Sequence, residues 1–210
     1  MGALRELLVG MAALVSLQAQ GPSGPGGWYL GGTLDRVTLR IPGRSVEMEG
    51  IQFTDVEASA DKAGFNVHCG TWITPHFGVE LGVADLGKAR ATFAYAVPPS
   101  ETGTGTTDVG VSNATLSFQV AQGIGQGFVF ARGGIQFWEL AYETTFRLSG
   151  GGSQYRLLEK RGNSFFWGAG GEWNLRGAWN LRLEGRVLKM DITDAKVIGF
   201  GLSYRFGGLP

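Results

Sequence analysis

The chain has 210 residues, of which 36 are glycine, and its Lys+Arg and Asp+Glu counts balance at 18 each. Glycine is more than twice its average share of about 7%, and charged residues, at 17%, fall below the usual ~25%. A neutral chain offers nucleic acid no sequence-wide basic surface, so no such partner is expected. Thirteen Phe, six Trp and five Tyr oppose disorder. The single cysteine, Cys69, excludes an intrachain disulfide and a cysteine zinc cluster.

In chain order, the first element is a leader. Arg5 precedes an apolar run from Leu7 to Leu17, and Ala19 offers a small residue for cleavage. This is the layout of a secretory signal peptide over 1–19. The run is too short to cross ~30 Å of hydrocarbon as a helix. Residues 20–27, ending in GPSGPGG, read as a flexible linker.

From residue 28 to 206 the chain alternates with period two, as strands do. Trp28, Leu30 and Leu34 alternate with Tyr29, Gly31, Thr33 and Asp35. Phe65, Val67 and Cys69 alternate with Asn66, His68 and Gly70; Val79, Leu81 and Val83 with Glu80, Gly82 and Ala84. Leu116, Phe118 and Val120 alternate with Thr115, Ser117 and Gln119; Val129, Ala131, Ile135 and Phe137 with Phe130, Arg132, Gly134 and Gln136. Trp167, Ala169, Gly171 and Trp173 alternate with Phe166, Gly168, Gly170 and Glu172. Leu181, Leu183, Gly185 and Val187 alternate with Arg182, Glu184 and Arg186, and Phe200, Leu202, Tyr204 and Phe206 with Gly199, Gly201, Ser203 and Arg205. These segments predict eight strands of roughly nine to eleven residues, the length a tilted strand needs to span a bilayer.

The connections alternate too. ITPH (73–76), AQGIGQG (121–127) and LRGAWN (175–180) are short, whereas 38–62, 87–107 and 140–163 are long and the last link, near 189–195, is intermediate. Short turns on one side and long polar loops on the other are the layout of an outer-membrane barrel. The long loops carry Arg40, Arg44, Glu47, Glu49, Asp55, Glu57 and Asp61, then the low-complexity tract VPPSETGTGTTD (97–108), then Glu143, Arg147, Tyr155, Arg156, Lys160 and Arg161.

The non-apolar face carries four acids, Asp35, Glu80, Glu172 and Glu184, and four bases, Arg132, Arg182, Arg186 and Arg205. Buried charges persist only when paired, so matched numbers favour an inward-facing set. An eight-stranded barrel leaves room only for side chains, and the glycines on the same face leave space for the long ones. Trp28, Trp167, Trp173, Trp179, Tyr204 and Phe206 lie near strand ends, where interface girdles form.

With these segments in order, the chain resembles the OmpA-like outer-membrane β-barrel domain family, which includes small opacity-type surface proteins. The resemblance rests on GWYLGGTLD (27–35), GFNVHCGTWITPHFGVELGVADLGKA (64–89), FFWGAGGEWNL (165–175), NLRLEGRV (180–187) and GFGLSYRF (199–206). It implies an all-β, eight-stranded antiparallel up-and-down transmembrane barrel over 28–206. It also implies a bacterial outer-membrane location with both termini periplasmic, and contact with outer-membrane lipid. The final strand resembles the signal read by the barrel assembly machinery, through Gly201, Tyr204 and Phe206, with 207–210 as a short extension beyond it. No peptidoglycan-binding domain is expected, because no residues remain for one.

Four functions compete. The first is a non-enzymatic monomeric barrel with a charge-plugged lumen, whose loops at 38–62, 87–107 and 140–163 stabilise the surface or contact an external ligand or host surface. The second is a narrow, porin-like channel. The third is a lipid-modifying barrel enzyme. His76 sits in a short turn and His68 faces the lumen, expected near Glu80, yet no serine stands at close spacing from either. The fourth is a soluble lipocalin-like carrier, which would need the apolar face inside. Glycine runs such as GAGGEW are followed by a strand and not the helix a nucleotide loop requires. No catalytic set, cofactor or metal site is expected, and Cys69 is expected to face lipid.

Overall fold

A computed structural model of the protein describes residues 27–48, 51–97, 101–147, 153–190 and 194–206; the leader, most of the linker and the extension at 207–210 lie outside the described residues. The strands are β1 (Trp28–Met48), β2 (Ile51–Trp72), β3 (Phe77–Val97), β4 (Glu101–Ile124), β5 (Gly127–Arg147), β6 (Ser153–Arg176), β7 (Trp179–Lys189) and β8 (Asp194–Phe206). Each pairs antiparallel with the next, and β8 returns to β1 through pairs from Trp28↔Phe206 to Arg40↔Asp194, closing the barrel. Closure leaves no backbone edge in the spanning region, which a bilayer demands.

The turn ends are tight. Gly125 and Gly177 adopt φ of +59° and +61° at the first residue of two-residue turns between β4 and β5 and between β6 and β7, as type I′ and II′ hairpins require. The 121–127 and 175–180 links are therefore mostly strand. In the β2–β3 turn, Thr74 Oγ1 accepts from the backbone N–H groups of His76 and Phe77 at 3.2 and 3.0 Å.

The opposite end corrects the expected strand lengths. β7 and β8 have 11 and 13 residues, but β1 to β6 have 21 to 24. The segments 38–62, 87–107 and 140–163 are thus largely paired strand, and the tract after Glu101 continues β4 against β3 through pairs such as Thr106↔Thr92 and Val97↔Glu101. The alternating threonines of 102–107 suit a strand, and polarity had masked that pattern. The side chains of 40–60 and 93–103, which include most of the charges assigned to the first loop, lie outside the described residues.

A second correction concerns the inner face. From the upper part of the belt upward it is apolar: Val37, Leu39, Leu86, Val109, Val111, Trp138, Leu140, Phe166, Leu188 and Val197 belong to one buried cluster. These residues share the parity of the charged positions, further along the same strands. The outer face is apolar lower down: Leu34 is 76% exposed, Phe118 69%, Phe165 75% and Phe200 55%. On β8 the outward row from Phe206 to Ile198 runs about 27 Å along the strand at ~3.4 Å per residue. At a tilt of 35–45° this is roughly 20 Å of height, close to the ~25 Å of an outer-membrane belt.

Leu183 faces outward midway along β7. Leu183→Arg is expected to cost roughly 2–4 kcal/mol in lipid; an unchanged urea midpoint in vesicles would contradict a lipid-facing row.

Candidate functional site

The alternation of β3, β5, β6 and β7 points Glu80, Arg132, Glu172, Arg182, Glu184 and Arg186 into the barrel, where each is at most 5% exposed. Glu80 is the hub. It accepts from both Arg182 terminal nitrogens, at 2.7 and 3.2 Å, and from Arg132. Its Oε2 also accepts from the Tyr29 hydroxyl at 2.8 Å and from Gln119 Nε2 at 2.9 Å. Glu184 accepts from Arg182 Nε and Nη2 at 2.9 and 2.7 Å, pairs with Arg132, and lies 3.3 Å from Arg186 Nε.

The set extends both ways. Arg186 pairs with Asp35 on β1, whose Oδ1 also accepts from Thr33 at 2.7 Å. Glu172 accepts from Arg182 at 3.2 Å, from Ser203 at 3.1 Å and from Arg205 at 3.4 Å. The eight charged residues singled out in the sequence are thus brought into one connected network. Arg205, its outermost member, has a side chain 32% exposed.

The guanidiniums also lie over aromatic rings. Arg182 sits 4.7 Å from the Phe130 centroid, Arg205 4.8 Å from Phe128 and Arg132 5.4 Å from Phe166. Such contacts favour Arg over Lys, because a delocalised planar cation stacks and bridges two carboxylates at once.

Glycine makes this density possible. A Cβ at Gly31 would stand 2.5 Å from His68 Nε2, and one at Gly70 would meet both the Tyr29 ring at 2.5 Å and its hydroxyl. At Gly199 it would collide with Asp35, and at Gly170 it would lie 2.8 Å from Phe130.

Apolar clusters lie on both sides of the network. Towards the turns sit Tyr29, Trp72, Ala121 and Phe130, with Phe128 against them, and Trp72 meets Phe128 edge-on at 5.2 Å. Towards the long-strand end lies the Val37–Val197 cluster. Between that cluster and the ions runs an uncharged polar strip. There Asn113 donates to Gln136 at 3.0 Å, and Gln136 donates to Ser164 at 3.1 Å and to the Lys189 carbonyl at 2.6 Å.

Sequence reasoning missed Tyr29, Gln119, Thr33 and Ser203 as partners, although their parity gave the signal. His68 is fully buried but pairs with Asn66, ring nitrogen to amide, at 3.2 Å and not with Glu80. His76 Nδ1 lies 3.1 Å from the Ala121 carbonyl. Cys69 stands on the outward parity yet is buried, shaded by Val67, Leu81, Val83 and Ala114. The aromatic set faces outward: Trp28 pairs with Phe206 across β1 and β8, and Tyr204 packs edge-on against Trp179 at 5.0 Å and Phe206 at 4.9 Å. Trp173 sits beside the β4–β5 turn through its pairing with Gly127, whereas Trp167 is 60% exposed higher on β6.

Outside and above the belt, the charges pair at the surface. Arg36 donates to Asp61 at 2.6 Å, Lys88 to Glu143 at 2.9 Å, and Arg90 grips Asp108 bidentately at 2.8 and 2.9 Å. The Arg90 hydrogen bond holds the Asp108 carboxyl below its ordinary range, and Thr38 with Arg36 does the same for Asp61.

A closed antiparallel barrel, apolar outside at belt height and ion-paired within, defines an integral outer-membrane β-barrel. The chain belongs to the outer membrane protein beta-barrel domain family, which matches residues 7–206. No curated protein matches the chain significantly. Among solved structures it is similar to Ail, the attachment invasion locus protein of Yersinia pestis, in complex with the heparin analogue sucrose octasulfate. Identity is 16%, with 87% of this chain and 100% of that one covered and a TM-score of 0.51. It is similar to the N-terminal β-barrel domain of Pseudomonas aeruginosa OprF, at 9% identity, 89% and 100% coverage and a TM-score of 0.52. It is also similar to P. aeruginosa OprG, at 13% identity, 89% and 98% coverage and a TM-score of 0.51. At these identities the likeness is one of fold. The chain is a bacterial outer-membrane protein with buried charges inside its barrel.

Removing one member of a buried pair leaves its partner uncompensated, at about 3–5 kcal/mol. Arg132→Ala, which takes one buried cation from both Glu80 and Glu184 and leaves them only Arg182 and Arg186 as cationic partners, is therefore expected to lower the unfolding midpoint clearly. Arg90→Ala, at an exposed pair, is expected to leave it almost unchanged. Equal midpoints for the two variants in detergent would contradict the distinction.

Proposed function

We propose that this is a closed, non-conducting, non-enzymatic barrel that works as a monomer. Its ion network rivets the wall, and its long β1–β6 end stands outside the cell as a contact surface. The layered lumen is the observation that carries this reading. The ion network fills the middle, apolar clusters close it at either end, and Arg132, Arg182 and Glu80 fill the cross-section between them. An open water path would leave those side chains solvated, whereas they are at most 5% exposed.

The turns support this orientation: tight two-residue links are characteristic of the periplasmic side, and in this reading both termini lie there, with the leader 1–19 removed on export. The row Tyr204 and Phe206, with Gly201 seated where a Cβ would strike the Gly32 carbonyl, supports recognition of β8 by the assembly machinery. The non-enzymatic reading is supported by the histidine partners: among the described residues, His68 is bonded to Asn66 and His76 lies against a backbone carbonyl, and no serine is bonded to either. In Ail a similar fold binds a heparin analogue; for this chain, an external ligand at the long-strand end is the corresponding reading.

Two measurements test it. In planar bilayers the refolded protein is expected to give no stable conductance steps, and regular steps would favour the channel. Protease added to intact cells is expected to cut within 38–62, 87–107 or 140–163; cleavage confined to 73–76 or 125–126 would invert the topology.

A further inference from the structure

At the upper rim of the belt the outward face changes from apolar to polar within one alternation step on most strands (on β2 Ala63 stands between Phe65 and Asp61), and the first residue beyond that step differs around the barrel. On three adjacent strands it is a cation: Arg36 follows Leu34 on β1, Lys196 follows Ile198 on β8, and Lys189 follows Val187 on β7. On β3 and β5 the equivalent residues are Asp85, after Val83, and Glu139, after Phe137.

The three cations are also neighbours. Lys196 is paired in register with Thr38 and Val187, which makes Arg36 and Lys189 its diagonal neighbours. Diagonal Cα atoms lie about 7–8 Å apart, within reach of one another for side chains this long. Strand tilt levels that diagonal with the membrane plane, so the three stand side by side at the upper rim of the belt. Arg36 and Lys189 are paired from the next tier up, by Asp61 and Asp194, and their side chains are 72% and 54% exposed. Lys196, between them, is exposed and makes no ion pair among the described residues.

We propose that Arg36, Lys196 and Lys189 form a seat for the phosphate of an outer-leaflet glycolipid headgroup. Cations at the rim of an apolar belt meet lipid headgroups, and acyl chains of the same lipid lie against Leu34, Ile198 and Phe200 below. The acids at the equivalent positions of β3 and β5 make the seat one-sided, so one quadrant recruits the lipid. Two anchored cations flanking a free one suit a doubly charged phosphate, since the flanking pairs fix position and Lys196 supplies the unspent charge. The proposal rests on the outside placement of the long-strand end, but its test does not.

The test uses the full barrel refolded in phosphatidylcholine vesicles, titrated with bis-phosphorylated lipid A and, separately, with its dephosphorylated form. Bound lipid is read after re-isolation of the protein, and folding is checked by heat-modifiability on a gel. A cation near a charged surface contributes about 1 kcal/mol. The triple variant R36Q/K189Q/K196Q, at exposed positions, is therefore expected to weaken lipid A binding by roughly a hundredfold, and K196E alone by about tenfold or more. K196R should keep wild-type binding, as should D85N/E139Q. Equal binding of dephosphorylated lipid A, or undiminished binding by the folded triple variant, would overturn the seat. If millimolar inorganic phosphate alone protected the wild type equally from heat, the site would read free phosphate and the lipid assignment would fail. Protease mapping of intact cells reports orientation separately, so loss of the seat and loss of the topology are distinguishable.

Discussion

A barrel this narrow cannot hydrate charges in its middle, so every charge placed there must find its counter-charge inside. That constraint organises the rest of the structure. It accounts for the balance of four inward acids and four inward bases, for the preference for arginine over lysine, and for the shared use of Glu80 and Glu184 by more than one guanidinium. A single pair would hold two strands. The network instead ties β1, β3, β5, β6, β7 and β8 together across the lumen, because each arginine reaches at least one carboxylate on a strand other than its own.

Density has a geometric condition. Tyr29, His68, Asp35 and Phe130 each lie where a neighbouring strand lacks a side chain, at Gly70, Gly31, Gly199 and Gly170. The glycine excess is therefore partly a packing requirement of an interior filled by long side chains. The apolar clusters at either end then shield the ions from water. In a low-dielectric site this strengthens the pairs and raises the cost of leaving any of them unmade.

Much of this was legible in the sequence, for a physical reason. Alternation has a period of two, so one glance at Val197–Phe206 assigns faces, and every charge on the inward parity must be paired somewhere. The partners on other strands were not legible, because register depends on which strand lies across the barrel. His68 illustrates this: parity placed it inside, but only the fold seats it beside Asn66. Strand length was misjudged because polar, glycine-rich and threonine-rich residues such as those of 101–108 read as loop, whereas backbone pairing extends β4 through them. The apolar inner cluster was missed for a related reason. The inward parity switches from charged to aliphatic along one strand, as from Arg186 to Leu188, so the pattern of one stretch does not announce the other.

The outer surface divides by height. An apolar belt with aromatic residues near the turns gives way to polar and charged residues, several of them ion-paired at the surface, and the long strands carry pairs such as Lys88–Glu143 and Arg90–Asp108 clear of the belt. The network within and the belt without act in opposite senses: at membrane height charge is carried on the inward face and apolar side chains on the outward one. The most direct measurement is a double-mutant cycle on Asp35 and Arg186, with D35N, R186M and the double variant unfolded in the same vesicles. If burial makes unpaired charge the dominant cost, each single variant loses stability and the double variant recovers much of what R186M lost. Strictly additive losses, with the double variant the least stable of all, would contradict the account.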